Sequence, residues 1–352
     1  MRSFFLVFFV ACGGTPEDPF RGEVMLSVAG ETILSHMRDF EERTGKLGQD
    51  AEDFCAGPTS TLLLSVRESW WSSREALKRF EIVQFGPIKE YPGRLGPKLD
   101  DWPVNAAAVE KMVEGDAPLG AEDFESKGTA TRGMPVVEYL LWSRGDDSLS
   151  FFQETLRACE ALVGASHDVN RSAGRLRVEW EDTWVLRLSQ PDLDEEDDYD
   201  TIQDVLNEWV SRMAFTVENI RKEKLGKPVG DSAGGEPQPD TIESAYSMRS
   251  LSDAYDALDG VEDVWSGGGV GQLGIRALLS ENEELLGSVS ALFETSLQRV
   301  KDIPEPLEQA ILIDSEIIAR SQEALLVLQV AIQVDLAQAL SVTIAFNDND
   351  GD

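Results

Sequence analysis

The stretch TSTLLLSVRESWWSSREALKRFEIVQF, Thr59 to Phe85, decides the fold class. Leu62, Val66, Trp70, Leu77 and Phe80 recur at intervals that place them on one face of a helix. Leu325, Leu328, Ile332, Leu336 and Leu340 form a second stripe near the other end of the chain. Between them lies no series of alternating strands joined by hairpin turns. The pattern predicts an all-α protein with helices at Val24–Thr44, Thr59–Phe85, Val104–Glu114, Pro135–Trp142, Ser148–Leu188, Thr201–Leu225, Ser250–Trp265, Gln272–Lys301 and Pro306–Leu340. Between the fifth and sixth of these, Asp192, Asp194, Glu195, Glu196, Asp197, Asp198 and Asp200 crowd together, and such a run extends and solvates. We therefore expect two four-helix-bundle-like domains, residues 22–188 and 201–352, packed side by side with a cleft between them. An acidic linker at 189–200 joins them, and a Gly/Pro-rich excursion at 226–245 interrupts the second.

The chain has 352 residues, 42% of them hydrophobic, so it can fill real cores. Its 65 acidic side chains against 31 basic ones give a net charge of −34. Such a field keeps a protein soluble, repels nucleic acid and anionic membrane, and favours cations or cationic partners. No basic patch interleaved with aromatics is present, which sets nucleic-acid binding aside.

Met1-Arg2-Ser3, the apolar run Phe4 to Ala11, and Cys12-Gly13-Gly14 have the layout of a secretory signal, so 1–21 reads as signal and tether. Val10-Ala11-Cys12 resembles the end of a bacterial lipobox, with Phe9 where leucine is usual. The expectation is lipidation at Cys12 and a lipid-anchored protein on the periplasmic side of a bacterial envelope; an ordinary signal or a misplaced start is the alternative. Nothing else in the sequence approaches the ~18 apolar residues of a membrane span. Setting Cys12 aside leaves Cys55 and Cys159, which in an oxidising compartment are expected to pair.

The chemistry concentrates in Gly133-Met134-Pro135-Val136-Val137-Glu138-Tyr139-Leu140-Leu141-Trp142. A glycine hinge opens an apolar helix whose one charged residue is Glu138. Burying that carboxylate is costly unless it is paired, hydrogen-bonded or bound to a cation. Pro135 suits the first helical turn, where a missing N–H costs nothing, and Glu138 sits about one turn in, where the helix dipole favours its charge. Arg74, on the Trp70–Phe85 helix, is the expected partner in a buried bridge. A metal or ligand role stays open, with Asp253 as an additional carboxylate from the second half.

Other patterns lack their context. Gly269-Val270-Gly271-Gln272-Leu273-Gly274 has dinucleotide-binding spacing but joins two helices instead of following a strand. Ser232, within Gly230-Asp231-Ser232-Ala233-Gly234, lies in a Gly/Pro-rich loop and not in a strand-to-helix elbow. The two histidines, His36 and His167, form no His-Glu-x-x-His pair. The acidic run lacks spaced calcium ligands and a glycine turn, and Asn347 to Asp352 opens like a calcium loop but stops before the later ligands.

The Gly133–Trp142 stretch also resembles the Gly-x-His-x-x-Glu signature of the imelysin family, with Pro135 in the histidine position. WWSSREALKRFEIVQFGP, Trp70 to Pro87, is similar to the family's Trp-x-x-x-Arg helix closing on Phe-Gly-Pro. Asp100-Asp101-Trp102-Pro103-Val104, Lys224 to Gly230, Glu243 to Ser247, Ser250-Leu251-Ser252-Asp253, Gly260-Val261 and the closing Phe346 to Asp352 follow in order. The resemblance implies two similar helical bundles meeting at a cleft, and a place in the bacterial envelope. Members include a protease-named founder, iron-regulated envelope proteins and the periplasmic component of a ferrous-iron uptake system. It also implies that the signature histidine and glutamate are metal ligands, of which only Glu138 carries over.

The leading expectation is a non-catalytic, envelope-anchored periplasmic binding lipoprotein connected with iron or other metal uptake. Its partners would be the membrane through its lipid, a metal ion (iron, zinc or calcium) or small ligand in the interdomain cleft, and an envelope protein. A metallopeptidase is the alternative; it needs a nucleophile or a metal-bound water with a general base, and no such set is recognisable. An adhesion or scaffold lipoprotein binding a polymer or protein is the third reading. Without the imidazole, zinc and ferrous iron are expected to bind weakly at Glu138.

Overall fold

A computed structural model describes residues 19–191 and 199–344, so Cys12, most of the acidic run and the C-terminal tail lie outside the described residues. Within them the chain is helical and contains no strand. Eight longer helices carry the architecture. They are α1 (19–56), α2 (Ser60–Arg79), α3 (Met134–Trp142), α4 (156–189), α5 (202–229), α6 (Ser250–Ser266), α7 (Glu283–Lys301) and α8 (Ser315–Leu340).

The stripe in α2 buries Val66, Trp70, Leu77 and, just past its end, Phe80. It packs on α1, where Phe80 meets the edge of Phe40 at 5.6 Å. Helix α4 covers the other side of α1, and the Trp180 indole donates to the Ala29 carbonyl at 3.0 Å. In the second half α5, α6, α7 and α8 pack on one another. Helix α2 also lies against α6 so closely that a Cβ on Gly260 would sit 1.9 Å from the Arg79 carbonyl oxygen. The buried apolar side chains of both halves join in one contiguous cluster.

Helix ends depart from the sequence reading for local reasons. The predicted 306–340 helix breaks at Asp314, whose carboxylate caps the Ile317 N–H at 3.1 Å and starts α8. Asn282 does the same for α7 through Leu285 N–H at 3.2 Å, so that helix begins at Glu283, well after the predicted start at Gln272. Four long helices contain π-helical turns, at Val28–Ile33, Trp180–Trp184, Ile220–Gly226 and Ala331–Leu336. Such turns insert a residue and re-aim the side chains that follow.

Contrary to expectation, one further segment, Ser315–Leu340, is long and apolar enough to cross a membrane by length and composition. Its inner stripe, Leu325, Leu328, Ile332, Leu336 and Leu340, is buried in the bundle. Its outer face leaves Leu326, Val327, Val330 and Val334 exposed.

Cys55, at the end of α1, forms the expected disulfide with Cys159, in the first turn of α4. The bridge closes a loop across 104 residues. In the chain-entropy account such a loop contributes up to about 4–5 kcal/mol through the unfolded state.

Candidate functional site

Gly133 opens α3 with φ +80, and a Cβ there would meet the Leu99 carbonyl oxygen at 2.6 Å, so only glycine fits. Pro135 follows in the first turn, as expected of a residue without an N–H. Helix α3 is apolar all round and buried on every side, which takes Glu138 with it to 2% exposure.

Glu138 does not pair with Arg74. Its Oε1 accepts from the Ser247 N–H at 2.8 Å and the Ser247 hydroxyl at 2.7 Å. Burial pushes its pKa up to about 7; the Ser247 bonds and the Arg74 charge oppose the rise, and Asp253 adds to it. Tyr246, next to Ser247, packs edge-on against Tyr139 at 5.3 Å. The missing bridge has a simple reason: Arg74 is already saturated.

Arg74 is fully buried and its three guanidinium nitrogens reach three carboxylates, Asp100, Glu243 and Asp253, the last at 2.9 Å. Burial would lower its pKa, but these three charges hold it well above the usual value. Lys78, one turn on, bonds Glu81 at 2.6 Å, Asp100 at 2.9 Å and Glu243. Lys224, on the π-helical turn of α5, bonds Glu81 at 2.9 Å and Glu243 from the other side. Arg249 bonds Asp253 at 2.6 Å and Asp256 at 2.7 Å, and the Ser244 hydroxyl donates to Asp253 at 2.6 Å.

The same burial therefore has opposite outcomes within one cluster. Glu243 would be raised by desolvation, yet Lys224, Lys78 and Arg74 hold it well below the usual carboxylate range. Asp256, ion-paired to Arg249, is pushed up to about 6 by burial.

The structure thus brings Gly133, Pro135, Glu138, Arg74 and Asp253 into one region, where sequence alone could not join them. Sequence reasoning missed Ser247, Glu243, Lys78, Lys224, Asp100 and Arg249 as site members. Asp100, Lys224, Glu243 and Ser247 were nonetheless within the ordered motifs that carried the resemblance. The histidines are elsewhere: His36 lies 3.0 Å from Asp263 and His167 bonds Glu52 at 2.8 Å. Ser232 is exposed in its loop, and the Gly269–Gly274 segment is a turn after α6.

A transition metal does not fit this donor set. Pro135 offers no nitrogen, the nearby carboxylates are filled by the chain's own cations, and among the described residues no three His, Cys, Asp or Glu side chains form a group that could hold a metal ion.

Comparison with known proteins agrees with the all-helical fold. The Imelysin family model matches residues 33–334. The chain belongs to the imelysin family. An imelysin-like protein from Psychrobacter arcticum shares the fold with a TM-score of 0.79 at 18% identity, over 94% of this chain and 98% of that one. A protein described as an iron-regulated protein A precursor, from Parabacteroides distasonis, does so with a TM-score of 0.78 at 18% identity, over 94% and 96%. No curated protein sequence matches. The matched span of this imelysin chain includes Pro135 and Glu138.

Proposed function

We propose that this imelysin is a non-catalytic binding protein of the bacterial envelope, tethered through Cys12, whose Glu138 position is a hydrogen-bonded acid and not a metal ligand. The observation that carries the reading is the saturation of Asp100, Glu243 and Asp253 by Arg74, Lys78, Lys224 and Arg249. A cation entering there would have to displace a guanidinium or ammonium already held by up to three carboxylates. The Parabacteroides relative's description as iron-regulated supports a part in metal uptake, served by a ligand or partner of this chain instead of by an ion on Glu138. The peptidase alternative gains no support, because the hydroxyl that donates to Glu138, that of Ser247, is buried with it away from any substrate, and among the described residues no ligand set for an activating metal gathers there. The two-bundle arrangement, with the site where α2, α3 and α6 meet, belongs to the same proposal.

Elemental analysis of the purified protein, with calorimetric titration of iron, zinc and calcium salts, tests the reading. The expected result is no stoichiometric metal. Tight stoichiometric iron or zinc that disappears in Glu138→Ala would overturn it.

A further inference from the structure

A cavity of about 680 Å³ opens on the far side of the ion cluster, between α2 and α5. Neither Glu138 nor Ser247 lines it, so it is a separate place from the family signature. Its size falls within the range of small-molecule sites. Phe80, Trp102 and Phe215 give it apolar walls.

Its charge runs against the rest of the molecule. The chain has about two acidic side chains for every basic one, yet the cavity is lined by six basic and five acidic residues. Most are internally matched: Lys78 and Lys224 share Glu81 and Glu243, Lys78 also bonds Asp100, Arg212 bonds Glu208 at 2.6 Å, and Lys227 lies 3.5 Å from Glu223. Lys89 and Arg94 remain, both exposed and with no carboxylate partner among the described residues. Arg94 holds φ +40, a left-handed conformation that non-glycine residues rarely adopt, at the start of the short helix Leu95–Leu99. Strain of that kind persists where surroundings enforce it, and it gathers at ligand clamps. The π-helical turn Ile220–Gly226 lines the same cavity through Glu223 and Lys224. Two independent irregularities thus face one cavity.

We propose that this cavity binds a small organic anion with an apolar body, of the class of aromatic or aliphatic carboxylates. The apolar part lies against Phe80, Trp102 and Phe215, and the anionic group meets Lys89 and Arg94. Attraction at the mouth is local, since the overall field of the molecule repels anions.

Fluorescence titration of the full chain with 8-anilinonaphthalene-1-sulfonate, an aromatic anion, and with the neutral naphthalene dye prodan tests this. We expect saturable one-to-one binding of the anion, at least about ten-fold tighter than the neutral dye, displaced by phenylacetate and not by benzylamine. Lys89→Glu with Arg94→Glu should weaken the anion about ten-fold and leave prodan unchanged. Lys222→Glu with Arg320→Glu, the same charge change on other exposed faces, should shift neither by more than about two-fold. No saturable anion binding, equal affinity for both dyes, or equal losses from the two double variants would each overturn the proposal.

Discussion

Glu138 and Glu243 are both carboxylates taken out of water, and they end in opposite states. Glu138 meets two hydrogen bonds from one serine and no ion pair, and its pKa rises to about 7. Glu243 meets Arg74, Lys78 and Lys224, and its pKa falls well below the ordinary range. Burial is common to both, so the number of cations in contact decides which form is stable. A glutamate in a conserved-looking motif is therefore no guide to charge until its partners are known. Here the motif glutamate is the weakly served one.

The largest test of that contrast removes the shared cation. Arg74→Met should destabilise the fold by about 3–5 kcal/mol, because Asp100, Glu243 and Asp253 lose a buried partner while staying buried. Urea unfolding at pH 7 measures it, and a loss below about 1 kcal/mol would mean the cluster is not electrostatically held.

Glu138→Gln comes next and acts in the opposite direction. The folded pKa, about 7, lies above the ordinary 4.5, so the folded state holds more protons between those values. The stability this group confers is complete below about pH 4.5 and is lost as pH rises towards and through 7, a span of about 3 kcal/mol. Glutamine keeps an acceptor for Ser247 and cannot ionise. The variant should therefore gain stability relative to the native chain at pH 8, by up to about 3 kcal/mol, and match it near pH 4.5. Asp256 contributes a similar slope up to about 6 in both proteins, so the difference between their pH profiles isolates Glu138. Parallel profiles would break the comparison.

Placing a nitrogen ligand beside Glu138 has a smaller expected effect. Pro135→His places an imidazole three residues before Glu138 on the same helix and should raise zinc affinity at least about ten-fold over the native chain, which is about 1.4 kcal/mol. No change by calorimetry would show that α3 is too tightly enclosed to admit an ion. Smallest is Ser247→Ala, which removes one of two bonds to Glu138 and should cost about 1 kcal/mol at pH 8. Carbon-13 titration should also find the Glu138 pKa higher than in the native chain.

Much of this molecule was legible in its sequence. Helical periodicity found α2 and the inner stripe of α8, because burial of one face leaves a repeat that spacing alone reveals. Counting cysteines found the 55–159 bridge, and Gly133 marked the hinge at which α3 opens. The partners of Arg74 were not legible, since Glu243 and Asp253 come from segments some 170 and 180 residues away and are selected by how α2 crosses α6. Ser247 was hidden for the same reason. The π-helical turns leave no periodic trace, and the break at Asp314 turns on a single capping carboxylate inside an apolar run.

Gly260 gives that crossing its meaning. With no side chain between it and the Arg79 carbonyl, α2 and α6 touch backbone to backbone. The gap between the residues that Arg74 and Asp253 occupy is thereby fixed by main-chain thickness, a gauge that rotamer changes cannot reset. Adding one methyl at Gly260 would act as a shim, prising apart both arms of the cluster at once without altering any charge in it.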